Sequence, residues 1–242
     1  MKITLKIPVD LDLRKEKHRN LKDYILFELN HPFIIRQYSF FIIDEFSFQL
    51  VEFIEGMTLT TLLQDCGKLS LKQTQFYAAQ IILVLEYLHQ KKICLRNLEP
   101  DNILIEKNGY IILFDFKYAV KKERSFSVCG HPQYLAPETI LGQGHSYAVD
   151  WWGLGLLIYE MLTGYPPFDG SHNFELFTRI CESNFTLPTD MDDTCKDLIC
   201  SLLRPAPHLR LGNRSPQGIT ELKNHKFFEG VDWNQIENKE IK

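Results

Sequence analysis

Residues 94–102 read Cys94-Leu95-Arg96-Asn97-Leu98-Glu99-Pro100-Asp101-Asn102. Two apolar runs follow, Ile103-Leu104-Ile105 and Tyr110-Ile111-Ile112-Leu113, separated by Glu106-Lys107-Asn108-Gly109. Asn-Gly between two such runs is a strong hairpin signal, because a tight turn there needs residues that tolerate positive φ. Asn102 then enters the hairpin and Asp115 leaves it, so both lie at its open end. An amide oxygen and a carboxylate converging there suit a hard cation such as Mg²⁺. The competing reading is that Asn and Asp at strand ends only form turns.

Outward from this centre, Ser70 is a candidate N-cap for a long helix over 70–89, with Tyr77, Ile81, Leu85 and Leu88 on its buried stripe. Residues 147–163 are apolar on every side and predict a helix at the centre of a domain. Its acids Asp150 and Glu160 must find partners or lie at its ends. Residues 173–182, 192–203 and 216–223 read as shorter helices. Residues 33–54 read as two strands broken at Asp44-Glu45, and Leu21, Ile25, Leu26 and Leu29 give one amphipathic helix over 11–29. The organisation is α+β: a small unit over 1–54 with two or three strands and one helix, then one helix-rich domain over 55–242.

Composition narrows the partners. The 242 residues suffice for a large core, and 45% hydrophobic with 24% charged content is that of an ordinary globular protein. A net charge of −4 argues against nucleic acid or an anionic membrane as the main partner. No apolar run is long enough to cross a bilayer, and the N-terminus lacks the pattern of a signal peptide. The six cysteines form no Cys-x-x-Cys pair and the eight His no metal-binding helix face, so reduced core thiols in a cytoplasmic protein, or a nuclear one, are expected.

The stretch at 94–102 resembles the catalytic loop of the protein kinases, His/Tyr-Arg-Asp-x-Lys-Pro-x-Asn, with Arg96, Pro100 and Asn102 in register. Further matches follow in order: Asp115-Phe116, Ala136-Pro137-Glu138, Asp150-Trp151-Trp152, Gly164-Tyr165-Pro166-Pro167-Phe168 and Arg210. Tyr77-Ala78-Ala79-Gln80, Cys129-Gly130 and Asn224-His225-Lys226-Phe227-Phe228 resemble the AGC group, and within it the catalytic subunits of cAMP-dependent protein kinases. That many motifs in sequence order are specific. The resemblance implies a kinase fold, a helical large lobe beside a small lobe, using ATP and Mg²⁺. It places Lys2, Glu52, Ile54 and Leu104 around the nucleotide, and Asn102 and Asp115 on the metal. Ser127 falls at the activation-loop phosphosite with Arg96 as its receiver. Asp101 and Glu160 match acids that hold basic substrate residues, although Thr58 replaces a third. Glu138 and Arg210 match a buried ion pair.

The departures fall on the chemistry. Asn97 stands at the position of the family's Asp base, and Glu99 at that of its phosphate-facing Lys. An amide orients a hydroxyl but takes no proton near neutral pH, and losing a general base costs roughly 10²- to 10⁴-fold. A unit charge at 4 Å is worth about 4 kcal/mol at an effective dielectric of 20, and replacing Lys by Glu reverses its sign. Lys117 replaces the Gly of Asp-Phe-Gly, Phe114 stands at the edge of the nucleotide pocket, and His131 replaces a Thr that bridges base and Lys. Met1-Lys2-Ile3 resembles the third small-lobe strand (Lys6 offers a second register), so the first two strands and the Gly-rich loop would be missing. The family's helix Glu would lie near Lys22, with Asp23 as its nearest substitute.

Two functions follow. One is a pseudokinase that binds a kinase partner, a regulatory subunit or a basic peptide. The other is an ATP-dependent Ser/Thr kinase in which Asn97 only positions the substrate hydroxyl. A third outcome, a fragment that folds poorly, would follow from an exposed sheet edge.

Overall fold

The computed structural model describes residues 3–6, 25–43, 46–122, 124–213 and 217–241. Two small antiparallel sheets flank a helical body. The first comprises β1 (Ile3–Lys6), β2 (Gln37–Ile43) and β3 (Phe46–Glu52) in the order β1-β3-β2. The second comprises β4 (Gly56–Thr58), β5 (Ile103–Glu106) and β6 (Ile111–Leu113), with β5 central. Residues 33–35 join the two regions. Ile35 N–H donates to the Leu113 carbonyl at 3.0 Å, and Leu113 N–H to the Phe33 carbonyl at 2.8 Å.

The helices are α1 (Leu59–Cys66), α2 (Leu71–Gln90), α3 (Pro137–Ile140), α4 (Ala148–Thr163), α5 (Asn173–Glu182), α6 (Asp193–Leu202), α7 (Gly218–Lys223) and α8 (Trp233–Glu237). Ser70 caps α2 through a capping box: its Oγ accepts the Gln73 N–H, while Gln73 Oε1 receives the Ser70 N–H at 3.0 Å. Tyr77, Ile81, Leu85 and Leu88 are buried as the periodicity requires. The hairpin over 103–113 forms with Gly109 at φ 85 in its turn.

Helix α4 is the centre of the body. Trp151, Trp152, Leu154, Leu157, Ile158 and Met161 are all essentially inaccessible, and α2 and α6 pack on it. Its apolar circumference leaves no face for water, hence its central place. Gly153 lets the loop bearing Leu98 approach, since an added Cβ there would lie 3.1 Å from Leu98 Cβ. Strand β4 and helix α1 have no counterpart in the sequence reading. Residues 11–24 of the expected first helix lie outside the described residues. Ile25, Leu26 and Leu29 at its end are buried around a single 3₁₀ turn.

Candidate active site

Asp150, in the first turn of α4, anchors the loop at 94–102. Oδ1 accepts the Arg96 N–H at 2.8 Å; Oδ2 accepts the Leu95 N–H at 3.0 Å and lies 2.8 Å from His89 Nε2. A carboxylate suits the positive end of the helix dipole, and these donors satisfy it at 1% exposure. So fixed, Arg96 adopts the left-handed conformation at φ 68, which ordinarily costs a non-glycine residue ~1–2 kcal/mol.

Asn97 and Asn102 are both buried, and Glu99 is half-buried. Asn102 Nδ2 donates to the Asn97 carbonyl at 3.2 Å and to Glu99 Oε1 at 2.9 Å. Both partners are pure acceptors, so the NH₂ end faces them and the Asn102 Oδ1 is turned the opposite way. Burial raises the Glu99 carboxyl above the usual carboxylate range; His131 and the Asn102 hydrogen bond pull it back, and Asp101 and Asp115 push it up further. Glu99, His131 and Asp115 therefore share one electrostatic neighbourhood. Asp115 Oδ1 accepts the Lys117 N–H at 2.9 Å, and the Lys117 ammonium lies 5.2 Å from the Tyr118 ring.

The oxygen donors Asn102 and Asp115 are of the type a hard cation takes. Glu99 adds negative charge, which suits a cation and opposes a phosphate. Among the described residues no group of three or more His, Cys, Asp and Glu side chains gathers for a metal. Leu104 and Ile54 are partly buried against the core. Glu52 Oε1 accepts the Arg36 N–H at 2.8 Å. Lys2, Lys22 and Asp23 lie outside the described residues.

The stretch from Tyr118 to Ser127 is tied down at three points. Cys94 and Val120 exchange both backbone hydrogen bonds at 2.9 Å, and Ser125 and His145 exchange theirs at 2.9 and 2.8 Å. Arg96 supplies the third: Nε donates to the Tyr118 carbonyl at 2.7 Å, and Nη1 to Ser125 Oγ at 2.9 Å and Ser127 Oγ at 2.7 Å. By resemblance the sequence names Arg96 and Ser127 together, as receiver and phosphosite, and the structure puts the unmodified serine in contact with Arg96; the sequence names neither Ser125 nor His145. Only the Ser-x-Ser spacing in the sequence hints at the first, and nothing local points to the second.

Glu138 and Arg210 form a bidentate pair at 2.8 and 3.0 Å with both side chains buried. Arg210 also donates to the carbonyls of Ala148, Arg204 and Pro205 and lies 5.2 Å over the Trp152 ring. Asp101 is exposed. Glu160 accepts the Tyr134 hydroxyl, a partner the sequence reading missed, and burial raises both groups.

Comparison with known proteins fits this arrangement. Residues 9–228 match the protein kinase domain. The chain is 40% identical over 239 residues to the cAMP-dependent protein kinase catalytic subunit PRKX of Mus musculus, covering 98% of this chain and 67% of that protein. A cAMP-dependent protein kinase catalytic subunit of Dictyostelium discoideum is 40% identical over 227 residues, covering 93% and 35%. The serine/threonine-protein kinase gad8 of Schizosaccharomyces pombe is 38% identical over 228 residues, covering 90% and 38%. The chain belongs to the protein kinase domain family. Within that family it is a serine/threonine kinase domain of the AGC type. It spans about two thirds of the mouse relative and little more than a third of the other two. No helix among the described residues is long and apolar enough to cross a membrane.

Proposed function

We propose that this kinase domain acts as a binding and regulatory module in which phosphoryl transfer is weak or lost. The observation that carries the reading is the pair Asn97 and Glu99. Transfer depends on positioning and on neutralising charge around the γ-phosphate. An amide stands at the base position and a carboxylate at the phosphate-facing one, and that carboxylate accepts from Asn102. ATP would supply the phosphoryl group and Mg²⁺ its charge neutralisation. Asn102 and Asp115 are the residues that would hold the metal, with Lys2, Glu52, Ile54 and Leu104 around the nucleotide. Residues 1–54 would form the small-lobe part and 55–242 the large lobe.

In this reading Ser127 is a phosphosite received by Arg96, supported by their 2.7 Å contact. The partner is another protein: a kinase, a regulatory subunit or a basic peptide. Asp101 supports the basic peptide, because its carboxylate faces solvent. Glu160 supports it less, being engaged by Tyr134. A cytoplasmic or nuclear location belongs to the same proposal.

One observation favours a second reading, an active kinase with an atypical loop. The Asn102 amide oxygen faces away from Glu99 and the Asn97 carbonyl, which supports its availability to a metal. Mg²⁺-dependent nucleotide binding by thermal shift, followed by transfer to an Arg-rich peptide, separates the two. Binding without transfer supports the module; transfer by the unaltered chain supports the kinase.

A further inference from the structure

His145 enters the activation-segment site from outside every motif. It lies just before α4, is 4% exposed, and pairs through its backbone with Ser125. Its Nε2 lies 3.4 Å from Arg96 Nη1. A guanidinium only donates, so the nitrogen facing it is unprotonated and accepts. Arg96 Nη1 thus meets three acceptors, Ser125 Oγ, Ser127 Oγ and His145 Nε2, with two hydrogens to give. The two serine hydroxyls lie 3.2 Å apart. Arg96 Nη1 has more acceptors around it than hydrogens to give, and the cluster is built around this one cation.

Resting on the reading that Ser127 carries phosphate, we propose that His145 is a second receiver of that phosphate, neutral while Ser127 is bare and protonated once the phosphoryl group is in place. Phosphorylation passes the γ-phosphoryl group of ATP to Ser127 Oγ. The new P–O bond forms as the bond to the ADP oxygen breaks, the hydroxyl proton goes to solvent, and ADP leaves. The ester brings a charge of about −1.5 to −2 and three acceptor oxygens. Arg96 then has better acceptors than the imidazole, and the imidazole gains an anion to which a protonated Nε2 can donate.

The charges around His145 agree with this sequence of events. In the bare state burial lowers the imidazole below its usual value, and the Arg96 cation lowers it further. Glu138 at the start of α3 and Asp150 at the start of α4 act in the opposite sense. Arg124 shares a cavity of about 180 Å³ with His145 and Glu138. Its guanidinium donates to the Gln143 carbonyl and lies 5.3 Å over the Phe126 ring. The arrangement couples phosphorylation to proton uptake at His145, so the phosphorylated segment would be held more tightly just below neutral pH than above it, down to the pH at which the phosphate itself takes up a proton.

The test uses the full chain with serine or phosphoserine incorporated at 127. ¹H–¹⁵N NMR reads the His145 titration, assigned with His145→Gln, and ³¹P NMR reads the second ionisation of the phosphate. The expected result is a His145 pKa about 1 unit or more higher in the phosphoserine chain, as an opposite charge within 4–6 Å produces. The phosphate should ionise below its ordinary ~6, partly restored by His145→Gln. A depressed phosphate ionisation with an unmoved His145 titration overturns the role of His145 and leaves the Arg96–Ser127 reading standing. A phosphate that ionises at its ordinary value in the unaltered phosphoserine chain overturns both.

Discussion

Replacing Arg210 by Met should be among the most damaging single changes in the chain. The guanidinium satisfies both oxygens of a Glu138 carboxylate that is 2% exposed, and three backbone carbonyls besides. Its removal strands a buried charge, which costs about 3–5 kcal/mol, and each carbonyl left without water or donor adds to that. Domains of this kind hold only ~5–15 kcal/mol in total. At about 2–4 °C per kcal/mol for this size, Tm should fall by roughly 6–20 °C. Glu138→Gln should cost less, because Arg210 keeps its carbonyl partners and a neutral acceptor. The double change Glu138→Leu with Arg210→Met should recover part of the loss, since no buried charge then lacks a partner. Urea unfolding at 25 °C followed by circular dichroism measures all three. A loss under ~1 kcal/mol for Arg210→Met, or a double variant as unstable as the single one, would refute the argument from stranded charge.

Other positions give further expectations. His31 packs against Phe33 and Tyr87 and accepts the Phe33 N–H; burial, and secondarily Lys239, hold its pKa down to about 4. A base with a depressed folded pKa stabilises above its unfolded value, so this contribution is complete above about 6.5 and is lost as pH falls toward 4. After allowance for partial exposure the loss is on the order of 1–2 kcal/mol, and His31→Asn should flatten that part of the stability–pH curve. Ser70→Ala removes one half of the capping box and should cost about 1 kcal/mol, read as a shifted urea midpoint at unchanged slope. Gly164, at φ 87 where α4 ends, lies against the Gly67 carbonyl. Gly164→Ala should cost more than ~2 kcal/mol through backbone strain and the collision together, and a neutral result by the same unfolding assay would contradict the geometry.

Much of the fold was legible because its signals are local. The capping box at Ser70, the Asn108-Gly109 turn and the apolar circumference of 147–163 each act within a few residues. Strand β4 and helix α1 escaped notice because Thr58, Thr60 and Thr61 are β-branched and poor helix formers, and a Thr58 side chain accepting the Thr61 N–H at 3.1 Å starts the helix all the same. In the site, the chemical identities of Asn97 and Glu99 could be read, but the direction of Glu99 could not. Its Oε1 reaches three residues on to Asn102, a contact made possible by the 3₁₀ turn at Pro100–Asn102. His145 and Tyr134 were invisible for a different reason. Their partners Arg96 and Glu160 lie 49 and 26 residues away in sequence. Only the packed body brings them together.

The central claim is that the residues at 97 and 99 withhold phosphoryl transfer, and the most direct measurement compares transfer rates before and after restoring the charges. With ATP, Mg²⁺ and an Arg-rich peptide, the double variant Asn97→Asp, Glu99→Lys should transfer phosphate at least ~10²-fold faster than the unaltered chain. Robust transfer by the unaltered chain, left unchanged by the double variant, would contradict it.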